Sequence, residues 1–265
     1  MKSFAPICLA LCLAGPALSQ VSTDVAEVSI LPGWMGQDGR QMAGIRIDLA
    51  PGWKTYWRAP GDAGIPPLVD FARSENVAAT QMAWPVPEVF DQNGMRSIGY
   101  EGHVVVPLAV TPTSQGDAVR LSGTLHIGVC EEICIPISLD FDALLPPDGG
   151  RDPAIVAAMI NRPQTATEAQ VSSTTCRFTT LDDGITLTAT LTMPSAGGSE
   201  IVVVETGDPY IWVSEADTTR SGNQLTATVD MIHSSYESFG IDRSLLRFTV
   251  LGQTHAVDIK GCDPA

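Results

Sequence analysis

A chain of 265 residues is long enough for two ordinary domains, and with 44% hydrophobic residues it can bury a substantial core, which excludes a wholly disordered chain. Its formal net charge of −15 excludes the basic surface that nucleic acid or an anionic lipid face requires.

Taken in chain order, Lys2 and the apolar run APICLALCLAGPAL lead to Ala17, Leu18 and Ser19, a small-x-small site. Residues 1–19 therefore read as a signal peptide cleaved before Gln20. The run is too short and too early for a membrane span, and no later window holds eighteen uninterrupted apolar residues. The expectation is an exported, periplasmic chain with no direct membrane insertion in its mature form. Four cysteines remain after cleavage: Cys130, Cys134, Cys176 and Cys262. An even number in an exported chain suggests disulfides, and four allow three pairings. Proximity favours Cys130 with Cys134, which leaves Cys176 with Cys262.

Residues 25–31, 41–50, 103–110 and 119–129 show β-branched enrichment or period-two alternation, as strands do. In 135–145, Ile135, Ile137, Leu139 and Phe141 alternate with Pro136, Ser138, Asp140 and Asp142. Pro and Gly punctuate the runs as in β-sandwiches. This first β domain is assigned to 20–147. Residues 148–173 read as a linker with a short helix: Asp152 is the N-cap, Pro153 the first helical residue, and Pro163 the stop. The following QTATEAQVSSTT is expected to be loose. From 174 to 265 a second set of strands follows, with ITLTATLTM (185–193) the clearest alternation.

The chemistry-bearing feature is VCEEICIP, residues 129–136. On facing strands Cys130 and Cys134 would lie roughly 4.5–5.5 Å apart at Cα, close enough for a disulfide. As a staple such a bond is weak. Loop-closure entropy gives about 2 kcal/mol for a loop of about five residues and about 4.6 kcal/mol for one of about 85. Cys176–Cys262 thus suits a structural role, and the short loop suits one that opens and closes. Two thiolates could instead take Cu(I) or Zn²⁺, with His126 on the same strand face as Cys130, but no recognised ligand spacing completes a site and no metal is assigned. No helix N-terminus lowers the thiol pKa, and Glu131 and Glu132 disfavour a thiolate. Such a pair would exchange mainly with a docked partner.

The stretch PGWKTYWRAPGDAGIPP carries Trp53, Tyr56, Trp57, Arg58 and Asp62. By itself it reads as an edge strand and turn with packed aromatics, with Arg58 and Asp62 pairing across the Pro60–Gly61 turn. His103, His233 and His255 have no evident partner. There is no G-x-S-x-G elbow, no H-E-x-x-H and no Gly-rich phosphate loop, which argues against a hydrolase, and no cofactor is implied.

Four motifs, LAPGWKTYWRAPGDAGIPP, WPVPEVF, SIGYEGHVVVPL and VCEEICIP, occur in this order over residues 25–147. Together they resemble the N-terminal periplasmic region of the DsbD/ScsB thiol:disulfide interchange proteins, the ScsB branch most closely. The resemblance implies an all-β chain, an immunoglobulin-like β-sandwich followed by a second β-sandwich-like domain. It implies that Cys130 and Cys134 are the catalytic redox pair, that residues 97–101 form a cap with Tyr100 as an aromatic lid, and that Tyr56, Trp57 and Arg58 surround the active site. It also implies partners: a membrane-embedded thiol reductase as electron source and periplasmic thioredoxin-like proteins as acceptors. The membrane and thioredoxin-like domains of full-length relatives are not in this sequence, so the reductase is expected to be a separate protein. The competing expectation is a non-catalytic binding module for a partner protein or Cu(I).

Overall fold

The computed structural model describes residues 23–61, 64–92, 95–235 and 239–265. The segment read as a signal peptide, and Asp62, lie outside the described residues. Ten strands precede the one α-helix among the described residues: β1 (Ala26–Met35), β2 (Gln41–Leu49), β3 (Lys54–Tyr56), β4 (Leu68–Asp70), β5 (Val77–Met82), β6 (Glu88–Gln92), β7 (Met95–Glu101), β8 (His103–Pro112), β9 (Val119–Cys130) and β10 (Cys134–Leu145). They form two sheets, ordered β1-β2-β8-β5 and β10-β9-β3-β7-β6, with β4 also on β9.

Alternation explains the long strands. In β10, Ile137, Leu139 and Phe141 are buried while Pro136, Ser138, Asp140 and Asp142 face water. The core between the sheets is built on Trp57, Leu108, Leu121, Leu125 and Ile127, all nearly or fully inaccessible. Burying side chains of this size contributes roughly 1.5–3 kcal/mol each.

Helix α1 (Pro153–Ile160) starts where its cap dictates: the Asp152 carboxylate accepts from the backbone N–H groups of Ala154 and Ile155. Its buried Ile155 seats over Gly33 and Gly44, which leave room for it on β1 and β2. The next stretch is ordered, which corrects the expectation of a loose segment. Glu168 accepts from the Arg162 guanidinium and from the N–H and hydroxyl of Thr165, and Ala169 is buried.

The second sandwich comprises β11 (Gln164–Thr165), β12 (Ser173–Thr180), β13 (Ile185–Thr192), β14 (Ile201–Glu205), β15 (Ile211–Val213), β16 (Asp217–Ser221), β17 (Gln224–His233), β18 (Arg247–Leu251), β19 (Ala256–Lys260) and β20 (Asp263–Pro264). Its sheets run β11-β19-β18-β14 and β15-β17-β13-β12-β20, with β16 also on β17. Leu187, Ala189 and Leu191 of β13 and Leu225, Ala227, Val229 and Met231 of β17 fill its core. The two sandwiches are in apolar contact. Leu251 and Ala256 join the first core cluster, with Ile201 and Val203 packed against it.

Candidate active site

Strands β9 and β10 pair without a bulge from Val119↔Leu145 to Cys130↔Cys134, and residues 131–133 close the hairpin. The register therefore sets the two cysteines opposite one another, bonded as a disulfide with Cα atoms 4.2 Å apart. Their surroundings differ. Cys130 is 5% exposed, whereas Cys134 lies on the surface with Glu131, Glu132 and a 74% exposed Ile133.

On the other side of β9 runs β3, with Lys54 opposite Cys130 and Thr55 opposite Val129. The Thr55 hydroxyl donates to the Gly128 carbonyl at 2.9 Å and ties the two strands together. Tyr56 brings its hydroxyl to 2.7 Å from Cys130 Sγ and 3.1 Å from Cys134 Sγ. Disulfide sulfurs carry no hydrogen, so the phenol is the donor. Burial pushes the Tyr56 phenol above its ordinary pKa, which keeps that proton in place. Space for the ring comes from Gly128, where a Cβ would meet the Tyr56 ring at 2.9 Å and Ile65 at 2.8 Å. Gly99 serves the neighbouring strand in the same way, because a Cβ there would run into the Thr55 carbonyl.

The other sequence-nominated residues lie as follows. Trp57 is fully buried in the core, and its backbone N–H donates to the Ile98 carbonyl at 2.9 Å. Arg58 stacks on the Trp57 ring at 3.9 Å and reaches into the second sandwich. There its Nη2 lies 3.1 Å from Glu205 and donates to Thr249 Oγ1 at 3.0 Å, with Asp258 at 3.9 Å. Burial pulls the Arg58 pKa down while Glu205 holds it up. Tyr100 is a core side chain on β7: it is 6% exposed, and its hydroxyl donates to the Pro85 carbonyl at 2.9 Å. Burial drives its pKa far up. The aromatic group at the sulfurs is thus Tyr56 rather than Tyr100. His126 is exposed, with its ring bonded to Ser138 at 2.8 Å. Among the described residues no cluster of three or more His, Cys, Asp or Glu side chains could hold a metal ion. Cys176 and Cys262 form the second disulfide, 86 residues apart.

Sequence reasoning did not nominate Lys54, whose ammonium sits 4.4 Å over the ring of the half-buried Phe90, or Glu205. Lys54 was findable, since it lies two residues before Tyr56 and hence on its side of a strand. Glu205 carries no local signal.

Comparison with known proteins bears on this site. Residues 24–146 match the family described as thiol:disulfide interchange protein DsbD, N-terminal. No curated protein sequence matches the chain. Among solved structures, the N-terminal periplasmic domain of ScsB from Proteus mirabilis is similar in fold. It shares 22% identity with a TM-score of 0.65, covering 91% of this chain and 92% of that one. The reduced N-terminal domain of Neisseria meningitidis DsbD aligns at 18% identity and a TM-score of 0.26, over 52% of this chain and 96% of its own. No helix among the described residues is long and apolar enough to cross a membrane.

Proposed function

Because residues 24–146 belong to the DsbD N-terminal family, we propose that this chain is a periplasmic thiol–disulfide exchange protein. Its Cys130–Cys134 pair relays electrons from a membrane-embedded thiol reductase to thioredoxin-like acceptors. The observation that carries this reading is the asymmetric disulfide: one cysteine on the surface, the other buried and touched by a phenol that keeps its proton.

The exchange follows from that asymmetry. A donor thiolate attacks Cys134 Sγ, the accessible end, and forms a mixed disulfide. The S–S electron pair leaves on Cys130 Sγ, where the Tyr56 O–H strengthens its hydrogen bond as negative charge develops. The donor's second thiolate then attacks the donor sulfur of the mixed disulfide and releases Cys134. Two electrons and two protons have entered the pair, and the donor has become a disulfide. Towards an acceptor the steps reverse: the Cys134 thiolate attacks the acceptor disulfide and Cys130 resolves the intermediate. Glu131 and Glu132 oppose thiolate formation, so free reduced protein reacts slowly with adventitious disulfides.

Trapping tests the assignment. In cells, Cys130→Ala should accumulate a mixed disulfide through Cys134, Cys134→Ala should not, and neither should complete exchange. Full exchange by Cys130→Ala, or no trapped exported partner in any single-cysteine form, would overturn it.

A further inference from the structure

Resting on that reading, we infer that the second sandwich holds the redox centre in place. Glu205 is a positioning residue that, through the buried guanidinium of Arg58, sets Tyr56 against Cys130 and Cys134. Strand β3 is three residues long and ends at Tyr56. Arg58 follows after two residues, no more than about 7 Å of chain, and its side chain is only 11% exposed.

Among the described residues, the strong anchors of that side chain beyond Trp57 come from the other sandwich. Glu205 on β14 takes Nε at 3.2 and 3.3 Å and Nη2 at 3.1 Å, and Thr249 on β18 takes Nη2. Of these partners Thr249 is fully buried, and the neighbouring Asp258 is gripped by Arg247 through bonds of 2.6 and 2.9 Å.

The sandwiches also meet through apolar contact at Ile201, Val203, Leu251 and Ala256. A buried ion pair gains little over apolar packing because desolvation offsets its attraction, whereas it does specify geometry. A forked guanidinium held by a carboxylate and a hydroxyl fixes the backbone that carries it. The residue two positions upstream is the one that must meet two sulfur atoms within 3.1 Å.

The test uses the full chain and dithiothreitol as reductant, so it needs no protein partner. The rate of Cys130–Cys134 reduction and its equilibrium position are measured in Glu205→Ala, Tyr56→Phe and the double variant. Glu205→Ala should slow reduction about tenfold, as Tyr56→Phe does, the scale of a lost hydrogen bond to a charged sulfur. The double variant should be no slower than Tyr56→Phe alone, because both act through one contact. Glu205→Gln, which keeps one acceptor, should fall between wild type and Glu205→Ala. Glu215→Gln breaks a separate ion pair across the same boundary, Arg96–Glu215 at 3.2 Å, and should leave the rate unchanged. Wild-type kinetics in folded Glu205→Ala, or additive effects in the double variant, would overturn the inference. If Glu205→Ala does not fold, the paired Arg58→Met/Glu205→Ala change replaces it under the same criterion. Failure to trap a partner in cells would defeat the relay while leaving this coupling intact, so the two results are separable.

Discussion

A phenol lying 2.7 and 3.1 Å from the two sulfurs of one disulfide has a single proton to give. In the disulfide that hydrogen bond is weak, because sulfur is a weak acceptor. In the transition state the leaving sulfur carries charge and the bond strengthens, which makes it a contribution to rate rather than to binding. Tyr56→Phe should therefore fold normally and be reduced about tenfold more slowly by a small thiol, a loss of about 1.4 kcal/mol of barrier lowering. The pH profile adds a sign. Burial raises the Tyr56 pKa above its ordinary value of 10.0, so the phenol's contribution is complete below pH about 10 and is lost only as pH rises through the higher folded value. The wild-type to Tyr56→Phe rate ratio should stay flat from pH 6 to about 10; a ratio that falls within that range would show the donor titrating early. Gly128 belongs to the same contact. In Gly128→Ala the methyl group meets the Tyr56 ring, so reduction should slow while the β9–β10 register persists. Of these residues the sequence made Cys130, Cys134 and Tyr56 visible, the first two by spacing and the third by family motif. The role of Gly128 was not legible, because only the path of a ring from another strand gives that glycine its meaning.

At the scale of elements, long strands announced themselves and short ones did not. Strand β13 alternates through eight residues, and every buried position follows from period two. Strand β3 has three residues, and Thr55, Tyr56 and Trp57 are buried in succession. A strand flanked on both sides and closed over by its own chain has no exposed face to mark a period. The helix was legible for a local reason, since capping is chemistry between near neighbours. Asp152→Ala removes acceptors for two N–H groups and should cost about 1 kcal/mol of stability, read by urea unfolding. The segment after it misled because its composition is polar, yet its polar groups satisfy each other. Hydrogen bonds from Arg162, then from the Thr165 N–H and hydroxyl, hold the Glu168 carboxyl down at about 2, against an ordinary 4.5. A depressed carboxylate pKa contributes stability above its unfolded value and loses it as pH falls. The 164–172 segment should thus keep its hydrogen-exchange protection down to pH about 4.5 and lose it progressively toward pH about 2, earlier than in Glu168→Gln compared with itself at neutral pH.

For the molecule as a whole, sequence distance is the barrier to reading. Near Arg58 in sequence only Asp62 offers a carboxylate, and it lies outside the described residues; Glu205, which the Arg58 guanidinium meets, stands 147 residues away. No periodicity encodes how two sandwiches meet, because the contact depends on both folds being complete. The two disulfides divide along the same line. Cys130–Cys134 closes a hairpin already held by twelve paired positions, so it adds little to the fold and can open without unravelling it. Cys176–Cys262 spans 86 residues and ties β12 to the segment just before β20, which itself adds only two residues to that sheet edge. Loop-closure entropy assigns this bond up to about 4.6 kcal/mol, enough to matter against the 5–15 kcal/mol of a typical domain. The paired Cys176→Ala/Cys262→Ala change should lower the unfolding free energy of the second sandwich, read by urea titration, by up to about 4.6 kcal/mol. Reduction of Cys130–Cys134 in protein that is still folded should keep its wild-type rate, because Arg58 and Glu205 remain in contact. A slowed reaction with β14 and β18 intact would mean that the second disulfide reaches the redox pair by a route other than that ion pair.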